Sequence, residues 1–462
     1  MATCGRSVFA MRFIRRLFER RSSLAWVLTP SLALGGAVAS CASDDEGRNG
    51  GADDGGAGDA ATLDDTSADA SSIPDGWSRP DAAPFDGGPR SVVCTSAPCA
   101  VSLERASSSA EAYCALLDDG TVACWGANVT GELGRGSYDP PESATAKRVV
   151  GLSDVARLYP SCVTDKSGGV WCWGWGGFPA EGPEGPVWTY VSNVPLKLAL
   201  PPVRSIAIGR VVGCALVEDD VLCWGDNSNG VVAPAPRTPG TLLGPQRVAV
   251  GSGVPIRELR VGAAALAVRE DGVTSSWGAS PTLGRISSLS PDTNPMPIPL
   301  AGISSIDLAY DSACATAGGV GYCWGNADVS LSPPFVRLVP QSVATPEPIV
   351  QIATTQSIKT IQNGDSLERP QRWCAVGASG AVYCWGYNAG GQAGDGTKNH
   401  AYEAVKVAGL PESAVEVRAF PDSTCALLSN GKVYCWGTNL YGQLGNGKMR
   451  QPSLVPQEVI LP

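Results

Sequence analysis

The chain repeats one short phrase, Cys-Trp-Gly or its evident remnant, seven times at intervals of about 50 residues. The tryptophans of these phrases are Trp125, Trp173, Trp224, Trp277, Trp324, Trp385 and Trp436. A regular period of this length is typical of propellers and solenoids, in which each repeat forms one small structural unit. In each repeat an apolar run, a turn and a second apolar run precede the glycine, which is the pattern of a β-hairpin.

Two further strand-like runs lie between successive hairpins, as in 146–158 and 404–419. Each unit is therefore predicted to hold four short strands, which is the composition of a propeller blade. We expect residues 94–462 to form one all-β body of seven such units, with the tryptophans packed between neighbouring blades.

Twelve of the 16 cysteines occupy one fixed place in the repeat, on either side of the hairpin turn. The pairs are Cys114 with Cys124, Cys162 with Cys172, Cys214 with Cys223, Cys314 with Cys323, Cys374 with Cys384, and Cys425 with Cys435. Directly opposed residues of an antiparallel pair are close enough for a disulfide, so we expect cross-strand bonds. Cys94 and Cys99 are also expected to be disulfide-bonded. Buried free thiols are the alternative interpretation.

The fourth repeat supports bonded partners, because both cysteine positions are lost together, to Leu266 and Ser276. Zinc is not expected, since the chain has no CxxC motif and a single histidine, His400. We predict no metal site and no cofactor. Disulfides on this scale indicate an oxidising compartment.

The N-terminus predicts export. A basic segment, 12–21, precedes an apolar stretch, 24–40, with the length and the small-residue ending of a signal peptide. Residues 38–41 read Val-Ala-Ser-Cys, which resembles the bacterial lipoprotein signal. We expect 1–40 to be a lipoprotein signal peptide and Cys41 to be lipidated, which would anchor the protein at the bacterial cell envelope, on the periplasmic or surface side of the outer membrane. An ordinary secretory leader or a retained anchor helix is the alternative.

Residues 41–93 have a different composition from the rest of the chain. Positions 42–93 hold 12 acidic and 3 basic side chains and almost no large aliphatic residues. Such a segment buries too little apolar surface to offset the entropy of ordering, so a disordered acidic tether is predicted. The whole chain has a net charge of −10. Without a basic stripe, nucleic acid is not an expected partner.

The last repeat carries the clearest family resemblance. Its phrase CALLSNGKVYCWGTNLYGQLGNG, 425–447, resembles the repeat of the regulator of chromosome condensation (RCC1) family. The resemblance covers 100–462 and implies a seven-bladed β-propeller with one blade per repeat. It also implies ring closure by strand sharing, in which the tail 452–462 would complete the blade begun near residue 100. The family's nucleotide-exchange residues are not carried over, because the chain is expected to be exported away from any cytosolic GTPase and has an acidic tether where the founder has a basic N-terminal arm. A binding face built from loops is carried over.

Catalytic motifs are missing from the sequence. It contains no GxSxG, HExxH or P-loop phrase, and His400 alone cannot build a histidine-based triad. Aspartates such as those of 118–120 are residues that hairpin turns prefer in any case. We therefore predict a protein that is not an enzyme, and a carboxylate-based polysaccharide-degrading enzyme is the weaker alternative.

Recognition residues are expected where the repeats differ most, in three long irregular insertions at 174–190, 326–348 and 357–373. Aromatic and arginine side chains are the usual anchors of an interface. The candidates are Trp175, Phe178, Trp188, Tyr190, Arg369, Arg372 and Trp373. We expect a monomeric, non-catalytic scaffold that binds a protein partner. A carbohydrate or cell-wall ligand is the alternative, and each candidate residue could instead be loop filling or edge packing.

Overall fold

The computed structural model describes residues 88, 90–107, 110–234, 242–328, 335–362 and 365–462. The predicted signal peptide, the lipidated Cys41 and nearly all of the tether lie outside these residues. In the described part of the chain, no helix combines the length and the apolar character that a bilayer crossing needs.

The described residues form seven antiparallel four-stranded sheets, each built from one repeat, and one extra two-stranded hairpin in the sixth repeat. This is the predicted seven-bladed propeller. The first strand of each blade lines the central channel, and the fourth strand lies at the outer edge. The repeating alternation of apolar strands and turns is the reason that every repeat folds into the same meander.

The strand bounds follow the repeats closely. Blades 1 to 4 contain β1 Ala100–Arg105, β2 Ala112–Leu117, β3 Val122–Ala127, β4 Glu142–Arg148; β5 Val155–Tyr159, β6 Cys162–Asp165, β7 Val170–Ala180, β8 Val187–Lys197; β9 Ser205–Ile208, β10 Val212–Val217, β11 Asp220–Asp226, β12 Leu242–Val248; β13 Ile256–Val261, β14 Ala264–Arg269, β15 Thr274–Gly278 and β16 Asp292–Pro297. Blades 5 to 7 contain β17 Ile303–Leu308, β18 Ser312–Ala317, β19 Val320–Asp328, β20 Phe335–Val343; β21 Ile349–Thr354, β24 Arg372–Gly377, β25 Val382–Gly386, β26 Ala401–Lys406, with the inserted hairpin β22 Ile358–Gln362 and β23 Asp365–Arg369; β27 Ala414–Ala419, β28 Ser423–Leu428, β29 Val433–Gly437 and β30 Ser453–Glu458.

The expectation of strand sharing between the chain ends is wrong. Blade 1 is a complete sheet of β1 to β4, and blade 7 is a complete sheet of β27 to β30. The four strands of each blade are supplied by one continuous segment of the chain, so no blade needs strands from both chain ends. The ring closes through contacts between finished blades: the Leu103 amide donates to Glu416 Oε2 at 2.9 Å, and Ala146 N donates to the Ile460 carbonyl at 3.2 Å.

The six hairpin disulfides are confirmed. Each pair lies directly opposite in the register of the second and third strands of its blade, with Cα atoms 4.0 to 4.1 Å apart. The bonds join Cys114 to Cys124, Cys162 to Cys172, Cys214 to Cys223, Cys314 to Cys323, Cys374 to Cys384, and Cys425 to Cys435. The alternative of buried free thiols is therefore not what the structure has.

The remaining pair and the odd repeat also agree with the sequence. Cys94 and Cys99 are bonded, with Cα atoms 5.7 Å apart. In blade 4, Leu266 and Ser276 face each other at the register position that the cysteines occupy in the other blades. The prediction that Leu266 and Ser276 replace a bonded cysteine pair is therefore confirmed at the level of strand register.

The tryptophans pack between blades as predicted. Six of them are fully buried. In each of the six, the indole Nε1 donates to a backbone carbonyl of the preceding blade, in the segment that follows that blade's Cys-Trp-Gly or equivalent phrase. Trp125 closes the ring in this way, with Nε1 3.0 Å from the Gln443 carbonyl oxygen. Trp385 differs: it is half-buried and stacks on Trp373, with centroids 6.2 Å apart.

Side chains also join the first strands around the channel. The Thr354 amide donates to Asp307 Oδ2 at 2.9 Å, and the Val417 amide donates to Gln351 Oε1 at 2.8 Å. Arg105 reaches across the axis from blade 1 to Asp307 in blade 5, with a 2.7 Å ion pair. The first strand of each blade is an edge strand with unpaired backbone amides, and these side chains accept hydrogen bonds from two of them. They also place a charged layer across the channel.

Candidate functional site

The two ends of the propeller carry different connections. We call the end with the first-to-second and third-to-fourth strand connections of each blade the long-loop face. We call the other end, with the second-to-third strand turns and the links between blades, the turn face. On the turn face the connections are tight: Gly318 and Gly319 alone join β18 to β19, with φ of 55° and 79° that suit glycine.

The described parts of the three predicted insertions lie on the long-loop face, except 344–348, which links blade 5 to blade 6 on the turn face. They are not irregular, because most of their residues pair as strands. The first extends β7 and β8 to 11 residues each, and the second extends β19 and β20 to 9 residues each. The third is the hairpin of β22 and β23, inserted between the first and second strands of blade 6. Three hairpins therefore extend from the same end of the ring.

A cavity of about 550 Å³ opens at the channel mouth on the long-loop face. Residues at or after the first strands of all seven blades line it, namely Arg105, Ser107, Ala110, Glu111, Pro160, 208–210, 261–262, 308–310, Thr355, Gln356, Ile358 and 419–422. A volume of this size is typical of a binding pocket. The layer of Arg105 and Asp307 crosses the channel here, so the cavity is a cup.

One arginine on the wall of the cup is held by aromatic rings. The Arg210 guanidinium carbon lies 5.5 Å from the ring centroid of Trp175 and 6.0 Å from that of Tyr310. Arg210 follows β9 in blade 3, Trp175 lies on β7 in blade 2, and Tyr310 follows β17 in blade 5. A cation over an aromatic face is attracted by the ring quadrupole, so these contacts orient the arginine.

A carboxyl pair lies on the opposite wall, where blades 1 and 7 meet. The Asp422 amide donates to Glu111 Oε1 at 3.0 Å, and the Ser423 hydroxyl donates to Glu111 Oε2. Burial, and secondarily the nearby Asp422 charge, raises the pKa of Glu111 to about 8. Arg369 pairs with Asp422. Both Glu111 oxygens accept hydrogen bonds from blade 7, so this side chain stabilises the 420–423 connection where blades 1 and 7 meet.

The structure brings two of the predicted contact residues together at the cup, Trp175 and Arg369. Tyr190 lies on the extended strand β8 and is 49% exposed, and Trp188 is half-buried against the core of blade 2. These four stay candidates for contact with a ligand.

Three of the predicted residues are structural instead. Phe178 is fully buried in the core of blades 2 and 3, and Trp373 packs on Trp385 and the blade 5–6 core. Arg372 is also fully buried, and it donates to the carbonyls of Phe420 at 2.9 Å and Gln392 at 3.1 Å. Phe178 and Arg372 therefore offer no surface to a partner. The sequence placed all three in variable insertions, but strand pairing turns their side chains inward.

Sequence reasoning missed Arg210, Tyr310, Glu111 and Asp422. Arg210 and Tyr310 lie four positions before the first cysteine of their repeats, and Glu111 and Asp422 lie three positions before it. Residues just before that cysteine follow the innermost strand, so they surround the mouth. Comparison of these two positions among the repeats would have found them.

The described chain begins on the turn face. The Val93 amide donates to the Ser429 carbonyl at 2.7 Å, and Arg90 donates to the Ala378 carbonyl at 3.3 Å. The Cys94–Cys99 disulfide lies at the same end, with the Cys99 carbonyl accepting from Asp118 N at 2.9 Å. Cys94, Cys99 and Asp118 are a cluster of ligand-type residues, but the two sulfurs are bonded to each other and offer no thiolate.

Comparison with known proteins gives one consistent pattern. A family model, the regulator of chromosome condensation (RCC1) repeat, matches residues 422–443. The ultraviolet-B receptor UVR8 of Arabidopsis thaliana is 27% identical over 350 residues, which are 72% of this chain and 64% of the receptor. The mouse E3 ubiquitin-protein ligase HERC2 is 25% identical over 363 residues, 73% of this chain but 7% of that protein. The chain thus spans less than two thirds of the length of these relatives.

Solved structures agree on the fold. Prp20p from Saccharomyces cerevisiae, described with its binding properties to Gsp1p and histones, has a TM-score of 0.57 at 18% identity and covers 80% of this chain and 87% of its own. Human WBSCR16 has a TM-score of 0.56 at 19% identity, over 74% of this chain and 95% of its own. The yeast protein also has a structure with Kap60 bound, with a TM-score of 0.58 at 17% identity, over 83% of this chain and 90% of its own.

Proposed function

Because this chain belongs to the RCC1-like repeat family, whose propellers are typically binding or regulatory scaffolds, we propose that it is a non-catalytic scaffold that binds a protein partner through its long-loop face. The observation that carries the proposal is the concentration of extended hairpins at one end of the ring. Three hairpins extend around a cup of about 550 Å³, while the turn face has tight connections. Loops on a rigid scaffold are the usual place for recognition.

Partners of a related propeller support the same class of function. Prp20p has described binding properties to Gsp1p and histones. Those partners belong to that protein. For this chain the partner is a protein of the cell envelope.

Anchoring through a lipidated Cys41 is supported by the apolar stretch 24–40 and the Val-Ala-Ser-Cys sequence of 38–41. Replacing Cys41 with Ser should release the protein from envelope membranes into the soluble fraction. A Cys41→Ser variant that still sediments with membranes would contradict the anchor.

Site-specific photo-crosslinking in the full chain tests the binding face. A benzophenone amino acid at Tyr190 probes the long-loop face, and the same amino acid at Asp219, whose side chain is 85% exposed, probes the turn face. We expect a discrete adduct in intact cells from position 190 that position 219 does not give. A discrete adduct from position 219 alone, or none from either position, would overturn the proposal.

A carbohydrate ligand is the second candidate, and the aromatic rings of Trp175 and Tyr310 at the cup favour it. Sugar rings stack on aromatic faces, but here both rings already have an arginine beside them. A glycan array probed with the full chain separates the two candidates. Signal that depends on Trp175 and survives removal of protein partners would favour the carbohydrate.

A further inference from the structure

We propose that the cup binds a single carboxylate from an Asp or Glu side chain on a loop of the protein partner, with Arg210 as the binding residue. This inference rests on the proposed function, because it names the chemistry of the partner at the same face. It begins from a contrast between Arg210 and the other charged groups of the cup.

Arg210 is the exception among the arginines that line the cup in the described residues. Arg105 pairs with Asp307 at 2.7 Å, and Arg369 pairs with Asp422. Among the residues that the structure describes, no carboxylate or carbonyl oxygen pairs with Arg210. Its guanidinium instead lies against the rings of Trp175 and Tyr310. A ring face attracts the guanidinium without using its N–H groups, so the donors stay available to a ligand.

The position of Arg210 is supported by small residues in the neighbouring blade. Blade 4 lies between blades 3 and 5, and only Gly262 and Ala263 join its first two strands, so no large side chain of blade 4 stands between Arg210 and Tyr310 there. The Ala263 amide donates to the Tyr310 carbonyl at 3.2 Å. A Cβ at Gly262 would lie 3.0 Å from the Ala309 carbonyl oxygen, so glycine permits this close packing. Two aromatic side chains from different blades thus hold one cation at the mouth.

The charge balance of the cup selects one anionic group. Arg369 and Arg105 are already neutralised, and no lysine lines the cup in the described part of the chain. Asp422 and Glu132 would repel a ligand with several negative charges. A phosphate usually needs more than one cationic group, whereas a planar carboxylate matches the fork of one guanidinium. The cup therefore favours one Asp or Glu, with its neighbours in the partner loop packed on Trp175 and Tyr310.

The test uses the purified full chain and a display library of disulfide-cyclised peptides with randomised loops. Peptides selected on the wild-type chain should share one acidic position. Changing that residue to its amide should weaken binding by about 10-fold or more, measured by fluorescence anisotropy. Arg210→Gln should weaken the acidic peptide equally and leave the amide peptide unchanged, which is the signature of a direct pair.

Arg204→Gln is the matched control, because Arg204 precedes the same strand, β9, but lies on the turn face. It should leave all affinities unchanged. Selected peptides that bind Arg210→Gln as tightly as wild type would overturn this inference while leaving long-loop binding intact. A requirement for a free peptide C-terminus would overturn the side-chain assignment. Peptides unaffected by both Arg210→Gln and Tyr190→Ala would overturn the proposed function as well.

Discussion

The turn face and the long-loop face are made by the same 28 blade strands, yet they differ in what the repeats preserve. On the turn face, each repeat closes its hairpin with a few residues, often with glycine at positive φ. On the long-loop face, three blades extend their strands or add a hairpin, and the residue four positions before the first cysteine differs between repeats, as Arg210 in blade 3 and Tyr310 in blade 5 show. The comparison teaches that this ring keeps one end uniform and varies the other.

The difference has a physical basis. The inter-blade contacts need the tryptophan and the segment that follows it, and they leave the connection lengths beyond that segment free. Extra residues there cost little, because loop-closure entropy grows slowly with length. Four changes test how far the two faces are independent, and they are ordered from the largest expected effect to the smallest.

Arg372→Met should destabilise the ring most. It removes donors from the carbonyls of Phe420 and Gln392 in a fully buried place, and unsatisfied buried groups are costly. We expect a loss of roughly 3 kcal/mol in the free energy of unfolding, measured by guanidinium denaturation. Arg369→Met, at the partly exposed wall of the cup, is the control and should cost about 1 kcal/mol. Equal losses of unfolding free energy in the two variants would contradict the assignment of Arg372 to structural support and Arg369 to ligand contact.

Replacing the hairpin disulfide of blade 3 with the Leu and Ser pair of blade 4 should have the next largest effect on stability. The double change Cys214→Leu and Cys223→Ser copies Leu266 and Ser276 at the same register positions. Loss of a short-loop disulfide should cost about 2–3 kcal/mol, read from the thermal midpoint under non-reducing conditions. Peptide binding at the long-loop face should be unchanged. A change in binding without a change in stability would show that the faces are coupled.

Glu111→Gln should alter the pH dependence of stability at the closure between blades 1 and 7. The pKa of Glu111 is raised to about 8 in the folded state, above its ordinary value of 4.5. Stability from this group is therefore fully present below about pH 4.5 and is lost as pH rises toward 8 and beyond. The Gln variant should show a flatter profile of unfolding free energy from pH 5 to pH 9, and its stability relative to the wild type should rise toward the alkaline end. Parallel profiles for the two proteins would contradict the assignment.

Tyr190→Ala should have the smallest effect on stability. Tyr190 is 49% exposed on β8, at a place where the hairpin extends beyond its blade. Exposed substitutions of this kind usually stay within about 0.5 kcal/mol. Binding of the crosslinked partner should nevertheless be weakened. A thermal midpoint lowered as far as in the disulfide variant would show that the hairpin is part of the structural core.

The sequence predicted most of the ring and part of the site. The tryptophan period predicted seven blades, and the paired cysteines predicted the register of their hairpins, because both signals repeat within each unit. The site was less accessible, since Trp175 and Arg369 were found in insertions while Arg210 and Tyr310 lie in short connections. Within a single repeat, a connection residue that faces the axis looks like one that does not, and only comparison of the same position among the repeats separates them.

Local and repeated signals thus determined the blades, their number and their sulfur bridges, since strand alternation and turn chemistry act over a few residues. Tertiary structure alone decided which ends of those blades meet. It placed Arg210 of blade 3, Trp175 of blade 2 and Tyr310 of blade 5 within one mouth, and it buried Phe178 and Arg372. The reason is that the closing of the ring brings together residues that are far apart in the chain, and this depends on how all seven sheets pack around one axis.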